Sequence, residues 1–310
     1  MHDRESPSNQ PPRRSVLYVP GSNARALAKA AALPADAFIF DLEDAVAPEA
    51  KSPARQAIKA VLDDVDFGGR ECAVRVNALS SPWGRDDLHF LTTLRADRVS
   101  AVVLPKVEDA SEVAAARALL GTGLGVWCML ETPRGVLAAQ SIAAAAGVVG
   151  LVAGTSDLSK ALGVRPGLSR LPQPQPQPLP PLPLPRLPLL YSLSHIVLAA
   201  RAAGVFVLDG VCLELDDAAA FEIEAEQGVA LGFDGKTLIH PKTIAATNRL
   251  FAPSNEELAA ARRIVDAGEK AAAAGLGVVV VDGRLVESLH VAAAKQRLSM
   301  AARITAAGRG

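Results

Sequence analysis

Aromatic residues are scarce in this chain of 310 residues, which holds 8 Phe, 2 Trp and 2 Tyr. Its core must therefore be built from Ala, Val, Leu and Ile. Cysteine is rarer still: the 3 Cys have no CxxC spacing, which excludes a disulfide framework and a zinc knuckle. Cys72, Cys128 and Cys212 each stand in an apolar run and read as small buried hydrophobes. No stretch approaches the roughly 18 strongly apolar residues of a spanning helix. The N-terminal MHDRESPSNQPPRR is polar and Pro-rich, unlike a secretory signal. Charge of one sign is lacking too, since 32 Lys plus Arg stand against 33 Asp plus Glu. A net charge of -1 gives no drive toward nucleic acid or membrane. With 50% hydrophobic and 21% charged residues the chain is globular, and a soluble cytoplasmic enzyme is expected.

What is present is alternation. Eight short runs rich in Val, Ile and Leu recur along the chain: 15–20, 37–44, 72–77, 101–106, 125–132, 150–157, 205–211 and 235–241. Almost all are followed by an Ala-rich segment of helical pattern. Their apolar continuity suits parallel strands buried on both faces. Strand–helix alternation eight times over predicts an α/β fold, a (β/α)8 TIM barrel spanning residues 13–250. No GxGxxG follows the first strand, which disfavours a dinucleotide-binding open sheet. Residues 251–310 exceed what the barrel requires. They predict a C-terminal helical extension with a helix near 254–273, a short apolar piece at 277–283 and a last helix near 288–306, packing on the barrel or on a neighbouring subunit.

The spacing from the sixth run to the seventh is about twice the usual, and the excess is compositional. Residues 171–188 contain nine prolines in eighteen, which denies them helix or ladder geometry. They read as a low-complexity insertion, spanning about 165–190, in the loop after strand six. PxxP patterns within it leave open a polyproline II ligand.

Catalytic groups of such a barrel lie at the C-terminal ends of the strands. There the sequence offers Asp41, Glu43 and Asp44 after strand two, Arg75 and Asn77 after strand three, and Lys106 after strand four. Glu131 follows strand five, Thr155 and Asp157 strand six, and His240 strand eight. That many carboxylates cannot converge without a cation or bound protons, because like charges raise one another's pKa. Oxygen donors with no His or Cys cluster point to Mg2+, with Mn2+ as the alternative. Taken singly, Asp44 and Asp157 also suit helix caps, and His195 suits a packed helix.

Several of these segments carry a resemblance. RRSVLYVPGSN (13–23), FIFDLEDAVAPEAKSPAR (38–55), VRVN (74–77), VLPKVE (103–108), LETPRGVL (130–137), GTSDL (154–158), AARAAG (199–204), GFDGKTLIHP (232–241) and GRLVESLHV (283–291) occur in this order. Together they resemble the HpcH/HpaI aldolase/citrate lyase family, in particular its citrate lyase beta-subunit and malyl-CoA lyase group. The resemblance runs over about residues 13–300. It implies a Mg2+-dependent lyase joining or cleaving an acyl-CoA thioester and a 2-oxo acid. By motif, Glu131 and Asp157 match the metal-binding carboxylates, and Arg75 matches the arginine on the substrate's oxygens. Gly154 and Thr155 of GTSDL belong to the same substrate-binding segment. Glu43 and Asp44 fall where the family has acids near the metal's waters. Arg14 and Lys51 match basic positions on the CoA side. Glu287 of GRLVE matches a C-terminal acid that assists proton transfer or hydrolysis, often from an adjacent protomer; some relatives have Asp there. A homo-oligomer, trimer or hexamer, is expected on this ground, with lyase activity and weak thioester hydrolysis.

Two features depart from the pattern: the Pro-rich insertion beside Asp157, and His195 where many relatives have Arg. Lys106 could serve as a general acid or pair with Glu131 or Glu43. Three activities stay open: a malyl-CoA or citramalyl-CoA type lyase, a CoA-free aldolase of 4-hydroxy-2-oxo diacids, and a non-autonomous citrate lyase beta-type subunit.

Overall fold

The computed structural model describes residues 11–121, 123–165 and 186–308. Eight parallel strands close into a barrel in sequence order: β1 (Ser15–Pro20), β2 (Ala37–Asp41), β3 (Glu71–Arg75), β4 (Ala101–Leu104), β5 (Gly125–Leu130), β6 (Val148–Ala153), β7 (Phe206–Asp209) and β8 (Gly235–Leu238). Each expected run forms a strand, but most stop short of their polar tails. Glu43, Asp44, Asn77, Lys106, Glu131 and Asp157 thus sit just past strand ends, where the chain turns over the C-terminal rim. The Pro-rich reading of residues 171–188 falls mostly outside the described residues; Arg186 begins the chain that leads into the helix Leu190–Ala203.

Alternation decides what fills the barrel. Val16, Ala37, Ile39, Ala73, Ala101, Val103, Trp127, Met129, Val152, Phe206 and Leu208 form one buried inward cluster. Small alanines on three strands leave room for two of the few rings, Trp127 and Phe206, which meet edge to face at 5.0 Å. The opposite face of β2 presents Phe38 and Phe40 to Phe67, at 5.2 and 5.5 Å, beneath the helices. The N-terminal end of the barrel is closed by the segment entering β1. Arg13 lays its guanidinium 4.0 Å from the centre of the Phe206 ring and pairs with Glu71. Its carbonyl presses on Gly235, where an added Cβ would lie 1.8 Å from that oxygen.

Between β7 and its covering helix Ala218–Leu231 lies a buried charge cluster. Asp209 and Lys236 are register partners with no exposed surface, and Nζ of Lys236 donates to Asp209 (3.0 Å) and Glu224 (2.7 Å). Arg186 enters the same cluster and donates to Asp209 at 2.6 Å.

The chain divides into two compact units, one covering Arg13–Asn248 and the other taking in Arg249–Gly310. The second holds a helix over Asn255–Ala273, a hairpin of β9 (Val278–Val281) and β10 (Arg284–Glu287), and a helix over Ser288–Ala306. The apolar piece near 278 is therefore one arm of a two-stranded sheet. Among the described residues no helix is long and apolar enough to cross a membrane.

Candidate active site

Asp41 and Arg75 end their strands opposite each other in the ladder, so their side chains meet at the barrel mouth. Nε of Arg75 donates to Oδ1 and Nη2 to Oδ2, each at 2.7 Å. Oδ1 and Oδ2 of Asp41 also accept the N–H groups of Glu43 (2.9 Å) and Ala45 (3.3 Å). Burial opposes charge on Asp41, but the guanidinium and these donors outweigh it and hold the carboxyl below its usual range. Burial likewise opposes charge on Arg75, and Asp41 beside it pushes its pKa upward. The remaining edge of Arg75 points inward: Nη1 lies 3.0 Å from Oε2 of Glu43 and 3.9 Å from Sδ of Met129. Below it, the guanidinium covers the Tyr18 ring at 4.8 Å.

The loop after β2 is pinned from beneath. Nζ of Lys51 donates to the carbonyls of Leu42 and Glu43, both at 2.7 Å. Nδ2 of Asn77 donates to Leu42 O at 2.9 Å and to Asp87 at 2.6 Å. Glu43 is thereby presented with its backbone fixed.

Lys106 follows β4 with a φ of 52°, a left-handed conformation uncommon for a residue with a side chain. Its N–H donates to Oε1 of Glu131 at 2.7 Å. Its ammonium bonds Oε1 of Glu43 and lies 3.6 Å from Asp44 and 3.5 Å from Asp157. Glu131 is 3% exposed, and burial, reinforced by the charge of Glu43, pushes its pKa up to about 8. Gly154 permits this approach: an added Cβ would stand 2.3 Å from Cβ of Glu131 and 2.7 Å from Oε2. The helix Thr155–Ala161 starts at once and carries Asp157 in its first turn. The Thr155 hydroxyl donates to Val211 O at 3.3 Å, tying the end of β6 to the loop after β7.

Glu43, Asp157 and, at the edge, Asp44 thus share one ammonium, Glu43 also meets the inward edge of the Arg75 guanidinium, and Glu131 is held by the Lys106 N–H. Among the described residues no three His, Cys, Asp or Glu side chains are arranged to enclose a metal by themselves. The donor set nevertheless fits Mg2+, which binds through one or two carboxylates and keeps several water or substrate oxygens. Glu131, buried and held far above its usual pKa, is a carboxylate short of positive charge.

Two of the expected basic residues are engaged in structural contacts. Arg14 precedes β1, at the end of the barrel opposite this rim. Its side chain is 3% exposed and donates to Asp36 at 2.9 and 3.0 Å, so it fastens β1 to the start of β2 and cannot serve a ligand at the mouth. Lys51 is on the side of the rim but only 5% exposed, with its ammonium bound to two backbone carbonyls, so it holds the loop. Other residues fall in plainer places. His195 stacks on Tyr191 at 5.7 Å on the helix Leu190–Ala203, and His240 accepts the Lys242 N–H at 3.1 Å as the cap of a short turn. Glu287 belongs to the second unit, where its carboxylate caps the last helix and its N–H donates to Nδ1 of His290 at 3.0 Å. The pairing of Asp41 with Arg75 follows from the register of β2 on β3, which the sequence does not print.

Comparison with known proteins decides the family. The model for HpcH/HpaI aldolase/citrate lyase matches residues 14–241. The chain belongs to this family. A (3S)-malyl-CoA thioesterase of Cereibacter sphaeroides is 44% identical over 95% of this chain and 96% of its own length. The citrate lyase subunit beta of Escherichia coli is 36% identical over 93% of both. CitE of Mycobacterium tuberculosis, solved in complex with magnesium, acetoacetate and coenzyme A, superposes with a TM-score of 0.75 at 32% identity, over 95% of this chain and 99% of that one. Membership in the HpcH/HpaI family places the chain among carbon–carbon lyases that work on CoA esters, and magnesium is a metal of that family.

Proposed function

We propose that this HpcH/HpaI family member is a Mg2+-dependent CoA-ester lyase that reversibly cleaves a malyl-CoA or citramalyl-CoA type thioester into an acyl-CoA and a 2-oxo acid. The observation that carries this is the mouth itself, where Arg75 is held rigidly by Asp41 beside an all-oxygen set of carboxylates. Glu131 and Asp157 would hold the metal, with Glu43 and Asp44 toward its waters. When bound, Mg2+ supplies Lewis-acid polarisation of the substrate oxygen that interconverts between alkoxide and ketone. Arg75 adds a charge-assisted hydrogen bond to the same oxygen or to the adjoining carboxylate, from a guanidinium that needs no reorganisation because Asp41 has already oriented it. Gly154 and Thr155 shape the wall against which the 2-oxo acid lies.

In the cleavage direction the substrate hydroxyl would pass its proton to a carboxylate of the mouth, Glu43, as the carbon–carbon bond breaks to form the ketone and its electron pair forms the thioester enolate. That carbon must then take up a proton. We assign the delivery to Glu287 of a neighbouring copy. Leu276, Val278, Val280, Leu285 and Leu289 of the second unit are all more than half exposed or at half exposure, an apolar surface that a second copy would cover. The similarity to (3S)-malyl-CoA thioesterases supports a second reading, in which the same site hydrolyses the thioester.

The test is to incubate the purified chain with Mg2+ and a panel of hydroxyacyl-CoA esters, assaying 2-oxo acid and free CoA thiol separately. Oxo acid with acyl-CoA supports the lyase; malate-type acid with free thiol supports the hydrolase. Turnover of CoA-free 4-hydroxy-2-oxo diacids alone, or none without added subunits, overturns both. Glu287→Gln should slow product formation in an oligomer seen by light scattering; an unchanged rate or an active monomer retires the shared acid.

A further inference from the structure

Lys106 is bound to the carboxylate cluster by both halves of the residue. Its N–H holds Oε1 of Glu131 at 2.7 Å, and its ammonium reaches Glu43, Asp44 and Asp157 together. A left-handed backbone at φ 52° is what turns the chain so that both contacts form at once. Such a conformation costs free energy in a residue with a Cβ and persists only where surrounding interactions hold it. Glu43 is 7% exposed at its side chain, Asp157 35%, Lys106 38% and Asp44 62%, so the ammonium lies between a buried acid and two that reach toward solvent.

Without another cation, these acids have the Lys106 ammonium and one edge of Arg75 as their positive neighbours. The rest of Arg75 is taken by Asp41. A divalent ion ligated by Glu131 and Asp157 would bring two positive charges to an Asp157 carboxylate that already faces this ammonium. Like charges at such a range repel strongly in a partly buried site, and the side chain of Lys106 is the element free to yield.

We propose that Lys106 is the cluster's built-in counter-ion: its ammonium pairs with Glu43, Asp44 and Asp157 and offsets part of their charge, competes with the divalent cation, and gives up Asp157 when the cation binds. This rests on the assignment of Glu131 and Asp157 as metal ligands. Lys106 is accordingly a positioning residue that sets metal affinity while keeping the unloaded mouth from flying apart by self-repulsion.

Metal binding to the full-length chain distinguishes the two ideas, with Mn2+ as the probe and loss of its free-ion EPR signal as the readout. Removing the competing ammonium in Lys106→Met should tighten Mn2+ binding about tenfold at low salt. Lys106→Gln, which keeps a donor for Glu43 and so holds the loop in place, should do the same. Lys160→Met removes an exposed charge from the same short helix as Asp157, and should change affinity by less than about twofold. The Tm of Lys106→Met should fall in the metal-free protein and recover with Mn2+. Unchanged or weaker binding in both Lys106 variants, or an equal gain in Lys160→Met, overturns the counter-ion. Asp157→Asn reads the underlying assignment separately: if it binds Mn2+ as the wild type does, the ligand assignment fails and the counter-ion with it. If it loses binding while the Lys106 variants do not change, the counter-ion alone fails.

Discussion

Asp41 and Arg75 stand opposite each other at the last rung of the β2–β3 ladder and join through two 2.7 Å hydrogen bonds. Their pairing makes the fold and the site one object: the same register that closes the barrel orients the guanidinium at its mouth.

Asp41→Asn should therefore lose both stability and activity. Removing one partner of a buried ion pair costs about 3–5 kcal/mol, because the other charge stays buried. The pH dependence follows from the depressed pKa of Asp41, whose ordinary value is 3.8. A carboxyl held lower in the folded state stabilises it above that value and loses the contribution as pH falls. The gap in unfolding free energy between wild type and Asp41→Asn should be full at neutral pH and shrink below about pH 4. Chemical denaturation across pH checks it.

Glu131→Ala and Asp157→Ala should each lower turnover by more than about 100-fold and abolish its response to Mg2+, with little change in Tm, since both lie beyond the packed layers. Chelation of the wild type should do the same reversibly. Burial and the charge of Glu43 push the Glu131 carboxyl up to about 8, so protons should compete with the cation. Apparent Mg2+ affinity, measured by calorimetry, should rise from pH 6 toward 8 and level off above.

Gly154→Ala places a methyl group 2.3 Å from Cβ of Glu131. The glutamate must shift, and a displaced ligand should weaken metal affinity by about 10–100-fold while the barrel stays folded. Circular dichroism and a Mg2+ titration separate the two effects.

Arg186→Met removes one of two cations from the buried group of Asp209, Glu224 and Lys236. The loss should be about 3–5 kcal/mol, or a fall in Tm of roughly 2–4 °C per kcal/mol for a unit of this size. A scanning calorimeter reads it directly.

The strands were legible because each is a short Val-, Ile- and Leu-rich run buried on both faces, and because a parallel sheet of eight such units has few ways to close. The rim residues Glu43, Asp44, Arg75, Lys106, Glu131 and Asp157 were legible from one rule, that parallel barrels gather function where their strands end. What stayed hidden depends on direction. Asp41 and Arg75 become a pair only through register, which sequence does not print. Lys51 and Lys106 look alike as cations near strand ends, yet one is turned down onto carbonyls and the other up into carboxylates. Arg14 differs from both: it precedes its strand and pairs with Asp36 at the end of the barrel away from the rim.

The plug of Arg13 against Gly235 and Phe206 has a consequence for synthesis. The seam between β1 and β8 joins the barrel's first strand to its last, with nearly the whole unit between them. Until β8 emerges, the nascent chain carries an unpaired β1 edge and an open floor, with Trp127 and Phe206 uncovered below. Contacts of such long sequence separation form late and slowly. The closing seam therefore makes the interval before β8 emerges the one in which aggregation and chaperone capture should matter most.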